Sequence, residues 1–334
     1  MLDAQPDSDV VLTITSSDTG EATVTSSLTF TSANWDTAQV VTVTGVDDDL
    51  IDGTIASTVT VSVNDAASDN NFDAVADQTV SVSTTDDDVA GFTIDQLDGS
   101  IEVDESGDTD TFTVVLDAQP TSDVVITITS SDTGEATVTS TLTFTPANWD
   151  TPQVATITGV DDDIIDGSQT STITVSIDDA NSDDDFDAIA DQTVSVSTTD
   201  DDVAGFTVSE TQGSTGVDES GTTDIITVVL NAQPASNVVM AISSSDASET
   251  AVNGSTANNN SLTFTSANWD TPQSFTVTGV DDDLVDGTVN STLTISVVDA
   301  LSDNGFDAVA DQTVTASTTD DDVAGFTIDQ LDGS

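Results

Sequence analysis

Along most of the chain Val, Ile, Leu and Phe alternate with Thr and Ser, as in VVLTITS (10–16), VVITITS (124–130) and QTVSVSTT (192–199). A period of two puts the apolar side chains on one face of an extended segment, and the β-branched enrichment suits a pleated, half-buried surface. Between residues 89 and 202 the alternation predicts seven strands, at about 91–96, 110–117, 124–130, 138–145, 153–159, 170–177 and 192–199. The turns between them are rich in Asp, Gly, Pro and Asn. Seven short strands with no helical periodicity predict an all-β fold, a β-sandwich.

The pattern recurs. SANWDT around Trp35 returns as PANWDT around Trp149 and SANWDT around Trp269, 114 and 120 residues apart. The six additional residues fall between Asp246 and Leu262 and mark a surface loop. Units of this length are domain-sized rather than solenoid repeats. VAGFT follows TTDDD at Val89, Val203 and Val323, which places the boundaries there. Residues 89–202 and 203–322 then read as complete domains. Residues 1–88 read as a repeat lacking its first two strands, and 323–334 as the first strand of another. Met1 stands where the other copies have Val115 and Val229, so the chain reads as an excerpt from a longer array. Strand donation between chains would restore the first missing strand but not the second.

Charge changes the picture. The chain has 63 Asp and Glu residues and no Lys, Arg or His, for a formal net charge of −63. No side-chain salt bridge can form, and self-repulsion opposes a compact state unless cations compensate it. Disorder is the other outcome for acidic chains, but 36% hydrophobic residues in strand alternation argue against it. Nucleic acid and anionic lipid should repel the chain, and no apolar run reaches the roughly 20 residues of a membrane span. The opening MLDAQPDSDV has no basic, apolar signal-peptide pattern. With no Cys or His, thiolate and imidazole metal sites are excluded. General bases and covalent nucleophiles are reduced to carboxylates and hydroxyls, which argues against an enzyme.

If successive strands run antiparallel, the loops after the first, third and fifth strands lie at one pole with the end of the seventh. That pole gathers Asp104 and Glu105 of VDESG, Asp132 of SSD, Asp161, Asp162, Asp163 and Asp166 of GVDDDIIDG, and Asp200, Asp201 and Asp202 of TTDDD. A single Asp in a turn is ordinary turn chemistry. Four acidic loops converging without any basic partner point to a hard cation with oxygen ligands, and the irregular donor set favours Ca²⁺ over Mg²⁺. At the opposite pole, Phe186 (with Phe72 and Phe306) is expected to close the end of the sandwich and Trp149 to anchor its rim. The alternative there is a weaker metal site at Asp183, Asp185 and Asp187, or contact with the preceding domain.

VDESG before a strand, SSD, a strand running into GVDDDIIDG and a closing TTDDD together resemble the Calx-beta domain. The resemblance implies tandem immunoglobulin-like, seven-stranded sandwiches arranged end to end, each with calcium held by an early Glu, an Asp after the third strand, the DDD turn and the terminal DDD. It carries those roles to Glu105, Asp132, Asp161, Asp162, Asp163, Asp166 and Asp200 to Asp202. In the third domain the positions are Glu219, Asp246, Asp281, Asp282, Asp283, Asp286, Asp320, Asp321 and Asp322. In the first they are Asp18, Asp47, Asp48, Asp49, Asp52, Asp86, Asp87 and Asp88, without the early Glu, so a weaker site is expected. NWDTPQ and SDxxFDA are more similar to repeats of giant bacterial adhesins, which implies a secreted or cell-surface stalk.

Two functional expectations follow. In one, Ca²⁺ at domain junctions stiffens a stalk or filament whose partners are neighbouring repeats and a filament or cell–cell partner. In the other, the repeats themselves bind a glycan, ice or a protein. A salt-adapted acidic surface, screened rather than ligated, is the competing account of the charge.

Overall fold

The structure is a computed structural model that describes residues 1–96, 99–254 and 260–328. Part of the expected loop expansion, residues 255–259, and the end of the final strand segment, residues 329–334, lie outside the described residues. The fold is all-β, and the helical elements among the described residues are short 3₁₀ turns.

In the middle repeat, six predicted strands appear as Phe92–Asp95, Thr109–Leu116, Val124–Ser130, Gln153–Gly159, Gln169–Ile177 and Gln192–Thr199. The region predicted as the fourth strand divides into Ala136–Val138 and Thr141–Phe144. The division has a cause in the pairing. The Thr139 amide still donates to Thr156 O (2.9 Å), in the sheet of Gln153–Gly159. Ser140 O already accepts from the Ile128 amide (2.9 Å) of the facing sheet. The chain therefore crosses between sheets at this point, as sandwich corners do. A further short strand, Ile101–Asp104, pairs parallel with Gln192–Thr199. It carries only two core-facing residues, Ile101 and Val103, too few for alternation to declare.

One sheet runs Thr141–Phe144, Val124–Ser130, Gln169–Ile177, Gln192–Thr199, Ile101–Asp104; the other runs Ala136–Val138, Gln153–Gly159, Thr109–Leu116, Phe92–Asp95. Their inner faces bury Phe112, Val114, Ile126, Phe144, Ile157, Ile173 and Val175. The third repeat builds the same two sheets, with Ile226, Met240, Phe264, Phe275 and Leu293 in the core.

The first repeat keeps the sheet Ser27–Phe30, Val10–Ser16, Ile55–Val63, Gln78–Thr84, while the facing sheet is reduced to Ala22–Val24 and Val43–Gly45. No described segment supplies its counterpart of Thr109–Leu116. Residues 39–42 have no partner on that side and are not strand, and Val40 is 79% exposed.

At the pole away from the Asp-rich turns, Phe186 and Phe306 are fully buried, and Trp149 and Trp269 pack against their cores. Asp183, considered above as a weak metal ligand, instead fastens this pole. It accepts from Thr121 Oγ1 (2.7 Å) and the Ser122 amide (2.7 Å) through one oxygen, and from the Asp185 amide (3.2 Å) through the other. Asp69 and Asp303 do the same in the flanking repeats. All three carboxyls sit below the usual range. Main-chain amides are the leading cause at Asp69, whereas at Asp183 and Asp303 hydrogen bonds outweigh the opposing effect of burial.

Candidate metal centre

The acidic pole is assembled by three local devices. Glu105 leaves the end of Ile101–Asp104 with its amide donating to Thr199 O (3.1 Å), which sets it beside the end of Gln192–Thr199; Glu219 does the same with Thr319 O (3.1 Å). This close approach requires glycine opposite, because a Cβ at Gly159 or Gly279 would overlap the carbonyl oxygen of Asp104 or Asp218.

The second device is a latch. Asp200 Oδ2 accepts from the amides of Asp166 (3.0 Å) and Gly167 (2.8 Å), and its Oδ1 from Asp202 (2.8 Å). It thereby ties the DDD turn to the terminal DDD, and Asp86 does the same in the first repeat. In the third, Asp320 holds the Gly287 and Asp322 amides. Gly53, Gly167 and Gly287 stand at φ of 73°, 73° and 78°, a left-handed backbone that glycine adopts at no steric cost.

The third device is an Asx turn within the acidic loop: Asp162 Oδ1 accepts from the Ile164 amide (2.7 Å) and Asp282 Oδ1 from Leu284 (2.6 Å), fixing each loop while leaving the other oxygen free.

These devices bring one carboxylate oxygen each from Glu105, Asp162 and Asp202 within 4.8 Å of one another, and likewise Glu219, Asp282 and Asp322. Glu105 and Glu219 are each 1% exposed. Glu105 Oε2 and Asp202 Oδ2 are buried without a hydrogen-bond partner, as are both oxygens of Glu219 and Asp322 Oδ2. Burial, with Asp200, Asp162, Glu135 and Asp166 nearby, pushes the Glu105 carboxyl up to about 7. Burial and then Asp320 raise Glu219, and an interaction with the Asp321 amide offsets part of this without completing a hydrogen bond.

The magnitudes decide what such a cluster requires. Two carboxylates near 5 Å repel by roughly 3 kcal/mol at an effective dielectric near 20. Three such pairs approach the roughly 5–15 kcal/mol of a whole domain's stability. Protonation of Glu105 relieves part of this up to about neutrality, and a cation among the carboxylates would relieve it above.

The remaining expected residues fall into two groups. Asp161, Asp163 and Asp201 surround Asp202, whose carboxyl burial raises first and these neighbours raise further, together with Asp200. Asp281, Asp283 and Asp321 surround Asp322 in the same way. On the other side, Asp132 and Asp166 lie near Glu135, and Asp246 and Asp286 near Glu249. Asp132 is committed to a turn, with its Oδ1 on the Gly134 amide (2.9 Å), and Asp246 to Ser248 (3.1 Å). The inward-facing acids on this side are the half-buried Glu135 and the buried Glu249, each with a buried, unpartnered Oε2 and each raised mainly by burial. Sequence reasoning passed over both. The available signal was a Glu three residues after the Asp in all three copies, DTGE (18–21 and 132–135) and DASE (246–249).

In the first repeat Asp18, Asp48 and Asp86 lie near Asp52 and Glu21, and Asp47, Asp49 and Asp87 near Asp88. Its acids converge, but among the described residues the groups of three able to hold a metal occur in the middle and third repeats.

No family profile and no characterised protein matches the sequence. Among solved structures, the chain is similar to surface layer protein SbsC, domains 4–9, at 16% identity and a TM-score of 0.29, over 92% of this chain and 39% of that one. It is similar to the calcium binding domain CBD12 of CALX1.1 at 15% identity and a TM-score of 0.27, over 61% of this chain and 80% of that one. A third similarity is to an endo-fucoidan hydrolase of glycoside hydrolase family 107, at 13% identity and a TM-score of 0.24, over 93% and 39% of the two chains. The chain thus spans about two fifths of the surface-layer and hydrolase structures. Identities of this size concern the fold alone.

Proposed function

We propose that this chain is a run of calcium-stabilised structural repeats of a large extracellular adhesin or surface filament, in which Ca²⁺ bound at the acidic pole of each repeat holds the array in shape. The observation that carries this reading is a buried glutamate with at least one unpartnered oxygen, facing acids from loops distant in sequence, in each of two repeats of a chain without one basic side chain.

A hard cation fits that donor set, since carboxylate oxygens are its ligands and Ca²⁺ accepts six to eight of them in irregular geometry. Glu105, Asp162, Asp202 and Asp200 would hold one ion in the middle repeat, with Asp161 and Asp163 at its edge. Glu135 and Asp166 extend the donor set for a second. Glu219, Asp282, Asp322 and Glu249 serve the third repeat. The first repeat, without an early Glu, binds more weakly. Extracellular calcium modules work at dissociation constants of about 10⁻⁴–10⁻³ M, so modest affinity suits the role.

Calorimetric titration of the full chain with Ca²⁺ tests the assignment. Saturable binding is expected, and Asp202→Asn should weaken or remove the ion at Glu105 and Asp162 in the middle repeat while leaving the third repeat's share intact. Absence of saturable binding, or an isotherm unchanged by Asp202→Asn, contradicts it.

A further inference from the structure

The Asp-rich turn interleaves two kinds of residue. In DDDIIDG (161–167), Asp162 and Asp166 lie near Glu105 and Glu135. Between them, Ile165 packs against the core of the third repeat, its Cγ2 beside Gly305; Ile51 likewise packs against the core of the middle repeat.

Main-chain pairing accompanies this. Ile164 forms a parallel bridge with Gln233, and Leu50 with Gln119. The Gln233 amide donates to Asp163 O (2.6 Å) and the Ile165 amide to Gln233 O (3.4 Å); the Gln119 amide donates to Asp49 O (2.7 Å) and the Ile51 amide to Gln119 O (3.5 Å). The receiving segment is stiff. Ala118 and Ala232 are fully buried, and the side-chain amides of Gln119 and Gln233 donate to Pro146 O (2.8 Å) and Ser266 O (2.9 Å).

The third repeat supplies an internal control. Its turn DDDLVDG has no described repeat behind it, and Leu284 and Val285 are 62% and 57% exposed, where Leu50, Ile51, Ile164 and Ile165 are half-buried.

We infer that the apolar pair of each turn is a peg, and the Ala-Gln-Pro segment with the adjoining core edge of the following repeat its socket, so that consecutive repeats of this unit lock head to tail through the loop that carries the acids of the candidate site. On the calcium reading, on which this part rests, ordering that loop also seats the peg. Asp162 on one side and Asp166 on the other flank it, and Asp163 supplies the carbonyl that receives the next repeat. Without cations, repulsion within the loop acts on the junction directly.

The chain has no cysteine, so spin labels at Ser140→Cys and Ser243→Cys report the distance between the middle and third repeats at saturating calcium. Ile165→Ser is expected to broaden that distance distribution with calcium binding and the middle repeat's own melting retained, because Ile165 lies outside its own repeat's core cluster. Val285→Ser, at the bare turn, should leave it unchanged. A distribution as narrow in Ile165→Ser as in the parent overturns the peg, and so does broadening by Val285→Ser, which would place the effect inside a repeat. A parent whose distances ignore calcium would overturn the calcium reading; the Ile165→Ser comparison at fixed conditions would still decide the peg.

Discussion

Glu105 sits where a carboxylate is least welcome: 1% exposed, one oxygen unpartnered, and surrounded by like charge. Its carboxyl is raised from 4.5 to about 7 in the folded chain. Between those values the metal-free folded state holds a proton that the unfolded chain releases. Its contribution to stability is therefore full below about 4.5 and is lost as pH rises through about 7. Asp69, Asp183 and Asp303 act in the opposite direction, being depressed by their hydrogen bonds; their contribution is present above 3.8 and lost as pH falls through their folded values. Thermal melts in chelator should accordingly show a higher melting temperature near pH 5 than near pH 8, with collapse in stronger acid. With Ca²⁺ present the first trend reverses, since ligation needs the deprotonated carboxylate. A melting temperature in chelator that is flat or rises from pH 5 to 8 contradicts the account. At this scale the sequence was informative about which acidic loops converge and less so about which side chain in each turns inward. DTGE contains two acids, and only the fold decides that Asp132 turns to the Gly134 amide while Glu135 goes inward.

The strands place these residues by register. Alternation made Val124–Ser130, Gln153–Gly159 and Gln192–Thr199 legible because every second residue, as at Val124, Ile126 and Ile128, at Ala155 and Ile157 and at Val194 and Val196, is buried in one core, although Val154 on the other face is exposed. It failed at Ile101–Asp104, whose two core residues are too few to count, and at the break near Thr139, where the chain changes sheets without any Gly or Pro to mark the crossing. Both are edge features, set by what lies alongside rather than by the segment's own pattern. The approach of Ile101–Asp104 to Gly159 is one such contact. Gly159→Ala would drive a methyl into the Asp104 carbonyl and shift Glu105, the next residue. Destabilisation of about 1–3 kcal/mol, typical of overpacking, is expected together with weakened calcium binding in the middle repeat alone. Unchanged binding in a folded Gly159→Ala chain would remove Glu105 from the site. Gly159 was not singled out in the sequence, because a glycine at a strand end reads as a turn residue.

Across the whole molecule, repetition made the architecture readable, as the NWDT and TTDDD spacings mark units too long for a solenoid. The junction was not readable. DDDIIDG looks like a ligand loop, and nothing in its pattern says that Ile165 packs on the neighbouring repeat while Ile164 pairs with its main chain. A formal net charge of −63 has two physical remedies, ligation and screening. They differ in chemistry: ligation saturates and selects its cation, while screening follows ionic strength. Small-angle scattering with parallel thermal melts, titrating Ca²⁺ against KCl and Mg²⁺ at matched ionic strength, separates them most directly. The account predicts a melting temperature that rises and a chain that stiffens with Ca²⁺ at low total salt, beyond the KCl and Mg²⁺ responses. Equal responses to all three would contradict it and leave a salt-adapted acidic surface in place of the metal centres.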